Sequence, residues 1–240
     1  MIRDHRPFAV KKAYRRFEEF YVRHFLRPQL EHLGDHFTFI RPWHVEVFGG
    51  PVRIGRCVNV IAARDMKVRL AVWSEDPGRG GIFIGDYCLL CPGVRIGSAA
   101  GVFIGDGTML ANGAYITDSD WHDLYNRIRP CPNPSPVILE ENVWIGDGAV
   151  VCKGVTIGRN SVIGAGAVVT TDVPESCVAA GNPARVVKRL DPGRPLVTRA
   201  EWFRDPARLH RDIEHLDRRL LRGNTFRGWL RHKFFPARGE

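Results

Sequence analysis

The sequence predicts an all-β solenoid of short parallel strands with α-helices flanking it at both ends. Three observations predict this fold class: a period of six residues in the middle of the chain, one polar segment that interrupts the period, and helical spacing in both flanks. The predicted organisation is an N-terminal amphipathic helical segment over 1–44, a β-helical catalytic domain over 45–190 and a C-terminal basic helical extension over 191–240.

The period of six is clearest in residues 139–174, which divide into LEENVW, IGDGAV, VCKGVT, IGRNSV, IGAGAV and VTTDVP. Each block begins with Leu, Ile or Val and has a small or β-branched residue at its fifth position. The register recurs from Ile84 and Ile104, and in degraded form from Ile54. This period fits neither a helix nor a simple two-faced strand. It fits a three-sided coil of about 18 residues whose first and fifth positions point inward, with Gly and Asn accepting positive φ beside the corners.

Two segments depart from the period. Residues 117–138 contain three Asp, one His, one Trp, one Tyr and four Pro, and must leave the coil between Ile116 and Leu139. Long loops on a rigid scaffold commonly carry function. Residues 64–82 form a second, less regular insertion that we expect to shape an acceptor pocket.

Both flanks have helical apolar spacing. It runs through residues 8–26, and through 205–222 before Gly223, which can end that helix. Solenoids need capped ends, and we expect these helices to be the caps. Residues 223–240 mix Phe and Trp with Arg and Lys, which suits an anionic membrane surface; the competing interpretation is that these aromatics pack on the coil or on a neighbouring subunit.

The positive charge lies in the flanks. Residues 1–44 have 9 Lys and Arg against 5 Asp and Glu, residues 45–184 have 11 against 14, and residues 185–240 have 15 against 7. A nucleic-acid-binding protein usually places this charge on its main folded face, so the distribution argues against nucleic acid as a partner. The N-terminus has no apolar signal region and 6 Cys are too few for a disulfide framework, so we expect a cytoplasmic location.

Three segments between about Ile40 and Leu190 carry a resemblance to a known family: ITDSDWHDLYNR, NVWIGDGAVVCKGVTIGRNSVIGAGAVVTTDVP and VAAGNPARVVKRL. They resemble the hexapeptide-repeat acyltransferase superfamily, and within it the maltose/galactoside and polysaccharide O-acetyltransferases, which are bacterial. The resemblance implies a left-handed β-helix that forms a homotrimer, with acetyl-CoA in a groove between two subunits. It implies a hydroxyl acceptor on a sugar, a glycan precursor or a lipid-linked molecule.

His122 matches the catalytic base of this family. Acetyl transfer to an alcohol requires a base with a near-neutral pKa, and His122 is the only histidine between His44 and His210. Asp118, Asp120 and Asp123 lie close in sequence, and any of them could fix the tautomer of His122.

The resemblance also assigns cleft and cofactor residues. Trp144 matches the tryptophan that lines the cleft, and a main-chain N–H of the Gly146–Asp147 turn is a candidate oxyanion donor. The remaining cofactor candidates share a match to positions that contact acetyl-CoA: Ala165, Thr170 and Thr171 along the pantetheine arm, and Arg185 and Lys188 at the phosphates.

The sequence departs from the family at two of these positions. Thr171 stands where sugar-acetylating members commonly have Lys, and the acceptor-binding Asn falls at Cys91; Asn112 is a further cleft candidate. An acceptor of the maltose or galactoside type is therefore not expected. The family's N-terminal acceptor segment is replaced here by the basic aromatic helix.

Other functions remain open on the sequence. One is N-acetyl transfer to an amino-sugar, and another is a non-catalytic β-helix scaffold. Cys88 and Cys91 form a CxxC pair, but further zinc ligands at a clear spacing are missing and Cys88 occupies a small, inward hexad position. We therefore expect no metal, and no covalent cysteine intermediate.

Overall fold

The computed structural model describes residues 4–74, 80–128 and 133–235. Its centre is a three-sided coil, each side a sheet whose strands come from successive turns of the chain. The strands in chain order are β1 (His32–Leu33), β2 (Thr38–Ile40), β3 (Val45–Phe48), β4 (Val52–Ile54), β5 (Asn59–Ile61), β6 (Val68–Val72), β7 (Ile82–Ile84), β8 (Leu89–Leu90), β9 (Arg95–Ser98), β10 (Val102–Ile104), β11 (Met109–Leu110), β12 (Tyr115–Thr117), β13 (Val137–Leu139), β14 (Trp144–Ile145), β15 (Val150–Val151), β16 (Thr156–Ile157), β17 (Val162–Ile163), β18 (Val168–Val169), β19 (Cys177–Ala180) and β20 (Arg185–Arg189).

From β1 to β18, every third strand belongs to the same side of the coil. The first sheet has the order β1-β4-β7-β10-β13-β16, the second β2-β5-β8-β11-β14-β17-β19-β20 and the third β3-β6-β9-β12-β15-β18. Neighbouring strands are parallel except β19 and β20, which pair antiparallel. The last strand thus folds back along β19 and covers an edge of the second sheet that would otherwise be free.

The core consists of aliphatic columns inside the coil. Leu110, Ile145 and Ile163 stand in register on the second sheet, and each is fully buried. The fifth position of every block from residue 139 to 174 is buried as well. The fourth position of a block lies at the corner of the coil, where Gly148 and Gly166 have φ of 62° and 66° and Asn160 has 60°. Each block of six residues therefore forms one side of the coil and one corner.

The coil begins upstream of the predicted boundary at residue 45. Strands β1 and β2 lie inside the predicted N-terminal segment, where Leu33 and Phe39 already enter the core. Only the part before His32 is helical. A 3₁₀ turn over Pro42–His44 separates these strands from β3 and obscures the repeat in the sequence.

The helical flanks lie at the same end of the molecule. Helix α1 (Phe8–Tyr21) continues through a π-helical turn (Val22–Leu26) whose Val22 and Leu26 cap the core at the first turns of the coil. Beyond the coil come α2 (Arg199–Trp202), α3 (Pro206–Leu220) and α4 (Phe226–Phe234).

Ion pairs join α3 to α1 rather than to the last turn of the coil. Asp217 of α3 is buried and pairs with Lys11 at 2.9 Å and Arg15 at 2.7 Å, while Glu214 pairs with Lys12 at 2.8 Å. Hydrogen bonds from Lys12 and Arg218 lower the pKa of Glu214 to about 2. The two basic flanks therefore form one helical body beside the first turns of the coil, and not a cap at each end.

Truncation of an inward side chain should be costly, and truncation of an outward one should not. Ile145→Ala removes a fully buried side chain and should lower the free energy of unfolding by about 2–5 kcal/mol, because the column cannot collapse around the cavity. Ile138→Ala is the matched control, since Ile138 is 41% exposed on β13, and should cost less than about 1 kcal/mol. Denaturant titration measures both values, and equal losses would contradict this account of the core.

Candidate active site

The loop that carries His122 is anchored by a buried carboxylate. Asp118 follows β12 and is completely buried. It accepts hydrogen bonds from the Ser98 hydroxyl at 2.9 Å and from the main-chain N–H groups of Ala99, Ala100 and Gly101 at 2.7, 2.8 and 2.6 Å. Asp118 therefore binds the loop to the turn after β9, and its position does not match the predicted role of orienting His122.

The rest of the loop entrance packs on the third sheet. The ring of Trp121 lies against Gly97, where an added Cβ would stand 2.7 Å from it, and its Nε1 donates to the Tyr115 hydroxyl at 3.2 Å. Asp120 forms an ion pair with Lys153, which follows β15. The return of the loop is held by the N–H of Ser135, which donates to the Asp118 carbonyl at 2.9 Å. Both ends of the loop are thus tied to the coil.

His122 is exposed, and its Nδ1 lies 3.2 Å from the carbonyl oxygen of Arg127. A carbonyl can only accept, so Nδ1 carries the proton when this hydrogen bond forms. Nε2 is then left with its lone pair, which is the tautomer a general base needs. Asp123 stabilises the intervening turn, because its Oδ1 accepts from the N–H groups of Tyr125 and Asn126 at 2.8 and 3.0 Å. The hydrogen bond that orients the His122 ring thus comes from a main-chain carbonyl, whereas the sequence had suggested three aspartates for this role.

Several predicted cleft and cofactor residues stack along one corner of the coil, between the second and third sheets. Asn112, Asp147 and Ala165 are equivalent positions in successive turns of this corner, and Cys91 lies one position before the equivalent residue of the preceding turn, Pro92. Main-chain hydrogen bonds join the levels: Gly148 donates to the Asn112 carbonyl at 2.8 Å, and Gly166 to the Asp147 carbonyl at 2.7 Å, as Gly113 does one turn earlier. The repeat itself therefore aligns these residues.

Of the two main-chain N–H groups of the Gly146–Asp147 turn, only one is available to an oxyanion. The N–H of Gly146 donates to the Ile163 carbonyl at 2.8 Å, and a Cβ at Gly146 would stand 2.6 Å from that oxygen. Gly146 is thus required by the close approach of two turns. The N–H of Asp147 makes no hydrogen bond within the described ranges, and Asp147 is exposed. It is the group of this turn that can still meet an oxyanion.

Trp144 and His122 leave different sides of the coil. Trp144 is 47% exposed on β14 of the second sheet, in register with Met109 and Val162. The His122 loop begins after β12 of the third sheet. In the part of the chain that the structure describes, His122 forms no hydrogen bond with Trp144 or with Arg185.

The predicted phosphate-binding cations lie at the last turn of the coil. Arg185 and Lys188 are exposed on β20, opposite Ala180 and Val178 of β19. Arg185 donates to the neighbouring Ala184 carbonyl at 2.7 Å, and neither cation pairs with a carboxylate among the residues described. Thr170 and Thr171 follow β18 and are exposed at the same turn.

The cysteines near this corner are poor nucleophiles. Burial raises the pKa of Cys88 to about 12, and burial together with Asp147 raises the pKa of Cys91. The thiolate form is therefore disfavoured at both residues. Residues 129–132, which include Cys131, and part of the 64–82 insertion lie outside the described residues.

The described residues contain neither a candidate metal centre nor a candidate membrane span. No cluster of three or more His, Cys, Asp or Glu side chains there is arranged to hold a metal ion. No helix there has the length and apolar character to cross a bilayer.

Sequence reasoning missed three residues of this region: Lys153, Arg127 and Arg199. Lys153 is a half-buried hexad position with no distinguishing signal in the sequence, and Arg127 contributes only its carbonyl oxygen to the contact with His122. Arg199 lies about 110 residues beyond its partner Tyr87, so no local pattern could connect them.

Two family models match the coil. The bacterial transferase hexapeptide model, of six repeats, matches residues 136–171, and the hexapeptide repeat of succinyl-transferase matches residues 81–118. The solved structure of AntD, an N-acyltransferase from Bacillus cereus, aligns with a TM-score of 0.56 and 16% identity over 70% of this chain and 88% of that chain. This alignment supports the fold, a left-handed parallel β-helix.

Curated relatives carry acetyltransferase names. The "putative lipopolysaccharide biosynthesis O-acetyl transferase WbbJ" of Escherichia coli K12 is 34% identical over 125 residues, which is 48% of this chain and 63% of that protein. The 2,3,4,5-tetrahydropyridine-2,6-dicarboxylate N-acetyltransferase of Staphylococcus aureus JH9 is 50% identical over 58 residues, or 24% of each. The chain thus spans between about a quarter and two thirds of these relatives. The coil of this chain thus matches hexapeptide-repeat transferase models and is similar in sequence to named acetyltransferases, as the sequence motifs predicted.

The buried Asp118 should control the stability of the loop. Asp118→Asn replaces an all-acceptor group with an amide whose NH₂ faces N–H donors, and should cost about 2–4 kcal/mol of unfolding free energy. Asp120→Asn is the matched control: Asp120 is 54% exposed and has one ion pair, worth less than about 1 kcal/mol. Thermal and denaturant unfolding measure the two losses. Equal small effects would show that Asp118 does not anchor the loop.

Proposed function

We propose that this protein is a CoA-dependent O-acyltransferase that moves an acetyl group from acetyl-CoA to a hydroxyl of a sugar, a glycan precursor or a lipid-linked acceptor. The observation that carries the proposal is the geometry of His122, whose Nδ1 is held by the Arg127 carbonyl while the side chain is exposed. That arrangement presents Nε2 as a base at the end of a firmly anchored loop.

The chemistry needs no covalent enzyme intermediate. Nε2 of His122 takes the hydroxyl proton as the acceptor oxygen forms its bond to the thioester carbonyl carbon. The N–H of Asp147 would stabilise the negative carbonyl oxygen of the tetrahedral intermediate. Collapse of the intermediate breaks the carbon–sulfur bond, and the histidinium returns its proton to the leaving CoA thiolate. The raised pKa values of Cys88 and Cys91 favour this direct route over a cysteine-linked one.

The donor would lie along the corner of stacked residues. Ala165, Thr170 and Thr171 would contact the pantetheine arm, and Arg185 and Lys188 would meet the phosphates. Support comes from the exposure of both cations and from their lack of a carboxylate partner within the described ranges. An unpaired cation at such a position suits a phosphorylated nucleotide.

We also propose a homotrimer with the active site between subunits. His122 and Trp144 belong to different sides of the coil, so one chain does not place them in one cleft. A second copy would supply Trp144 of its second sheet beside the His122 loop of the first. The cytoplasmic location, the bacterial origin and the absence of a metal remain predictions.

N-acetyl transfer is the alternative chemistry at the same site. The names of the curated relatives include both reactions, and the O-acetyltransferase match covers twice as much of this chain as the N-acetyltransferase match. That difference favours a hydroxyl acceptor. Turnover only with amino-sugars would favour the alternative.

Substitution of the base should abolish turnover but leave donor binding intact. His122→Ala should lower kcat by about 10²–10⁴-fold, because general base catalysis is worth that much, while acetyl-CoA still binds in calorimetry. His215→Ala, which changes an exposed histidine of α3, is the matched control and should behave as wild type. Full retention of function in His122→Ala would instead favour the non-catalytic scaffold.

The donor site is tested separately in the same calorimeter. Arg185→Glu reverses the charge proposed to meet the CoA phosphates, and acetyl-CoA binding should be lost. Arg204→Glu, at an exposed arginine of the helical flank, is the control. No binding by a well-folded wild-type protein would overturn the donor site.

We propose further that the C-terminal segment 223–240, of which residues 236–240 lie outside the described residues, contacts an anionic membrane surface peripherally. Phe226, Phe234 and Phe235 of α4 and its end are 56%, 68% and 77% exposed, beside three basic residues of the same helix. Exposed aromatics among cations suit the headgroup region of a bilayer.

Vesicle sedimentation tests this contact. The protein should sediment with phosphatidylcholine vesicles that contain phosphatidylglycerol, and not with phosphatidylcholine alone. Phe234→Ser with Phe235→Ser should reduce the bound fraction several-fold because apolar insertion is lost. Phe48→Ser, at an exposed phenylalanine of the coil, is the control. Equal sedimentation with both vesicle types would contradict the proposal.

A further inference from the structure

The chain returns from the last turn of the coil to its early turns. β20 ends at Arg189, yet Arg199 contacts Asn59 at the start of β5 and Tyr87 just before β8. From β20 to β8 is five strand spacings, or about 24 Å. Residues 190–198 span this distance and include a turn in which the Arg194 N–H donates to the Asp191 carbonyl at 3.2 Å. This connection, which we call the strap, delivers α2 to the early turns of the coil.

Arg199 is held firmly at the end of the strap. Its Nε donates to the Tyr87 carbonyl at 2.6 Å, and one Nη donates to the Asn59 side chain at 2.6 Å. The guanidinium lies 5.7 Å from the ring centre of Trp202 and 5.5 Å from that of Phe203. Phe203 is buried and its ring stacks on the ring of Tyr87. The aromatic ring beside the guanidinium is therefore itself held in place. A guanidinium so constrained is preorganised for a planar anion.

Arg199 has no counter-charge in the described part of the chain. Its hydrogen bonds go to neutral groups, and they leave three of its N–H groups without a partner there. Burial lowers its pKa, and the only groups that oppose this effect are the thiols of Cys88 and Cys91. A half-buried cation without a carboxylate is costly for folding. Arg204, five residues on, is exposed and paired with Glu201 at 2.7 Å.

Arg199 and the predicted acceptor residue Cys91 flank the same strand. The Tyr87 carbonyl that holds Arg199 lies just before β8, and Cys91 follows β8 directly. Cys91 occupies the corner level at which the resemblance places an acceptor-binding residue. Trp202 is 55% exposed beside Arg199, and an exposed indole offers an apolar face to a sugar ring.

We propose that Arg199 binds an oxyanion of the acceptor, either a sugar carboxylate or a sugar phosphate, and that Trp202 packs against the sugar ring. The inference rests on the proposed acyl transfer and narrows its acceptor class to anionic carbohydrates. Arg199 determines specificity and does not take part in the proton transfer. The strap thereby takes over acceptor recognition that the N-terminal segment serves in the related enzymes.

Direct binding tests the proposal without turnover. Saturation-transfer NMR on the full chain uses glucuronate, galacturonate, N-acetylneuraminate and glucose 1-phosphate, with methyl glucoside and methyl galactoside as neutral counterparts. At least one anionic sugar should bind about tenfold more tightly than its neutral counterpart. Arg199→Gln should weaken anionic binding about 10–100-fold, as expected for loss of a charge-assisted pair, and leave neutral binding unchanged. Carboxylate or phosphate preference identifies the source of the anion.

Two variants separate recognition from structure. Arg199→Lys keeps the positive charge but lacks the planar guanidinium with its two parallel N–H donors, so it should recover part of the preference for anionic sugars. Arg204→Gln is the control and should bind both classes of sugar as wild type does. Equal binding of neutral and anionic sugars by wild type, or equal losses for both in Arg199→Gln, would overturn the proposal. In turnover assays with acetyl-CoA, Arg199→Gln should raise the KM for the anionic acceptor and leave kcat and the KM for acetyl-CoA unchanged. If the wild-type protein neither turns over acetyl-CoA nor binds it, the proposed acyl transfer is contradicted. The proposal for Arg199 is not contradicted by that result, because the NMR comparison of anionic and neutral sugars does not depend on turnover.

Discussion

The register between successive turns of the coil is the constraint on which this structure depends. Main-chain hydrogen bonds and inward aliphatic columns fix each turn on the one before it, as Leu110, Ile145 and Ile163 show on the second sheet. A slip of one residue would turn each column outward and each polar residue inward. The corner residues are consequently brought into line by the repeat, without contacts of their own. A groove along that corner can therefore be long, straight and rigid.

A loop on such a scaffold needs a separate anchor, because it leaves the ladder of hydrogen bonds. Asp118 supplies one by satisfying three consecutive main-chain N–H groups of the preceding turn. A buried carboxylate is stable only when its oxygens are so satisfied. The catalytic histidine that we propose can then be exposed and yet well positioned. Stability and chemistry are thus divided between neighbouring residues of one loop, Asp118 and His122.

The flanks show how charge directs the assembly of remote segments. Lys11, Lys12 and Arg15 of α1 face Asp217 and Glu214 of α3, although the helices are about 200 residues apart. These pairs neutralise Asp217 and Glu214 together with bases of α1, so they hold the two helices together without changing the net positive charge of the helical body. The connection to this body passes the second sheet, and it is this path that delivers Arg199 to the early turns of the coil.

The sequence by itself determined the coil, its corners, the position of the loop and the helical character of both flanks. These features are local or periodic, so hydrophobic spacing and glycine placement report them directly. Only the tertiary structure decided that the coil starts at β1, that Asp118 anchors the loop, that a carbonyl holds His122, and that both flanks share one end. Each of these depends on contacts between residues distant in sequence or on main-chain atoms, which carry no signature in the residue types. Arg199 is the clearest case, since its position is fixed by hydrogen bonds to Asn59 and Tyr87, which are more than 100 residues away in the sequence.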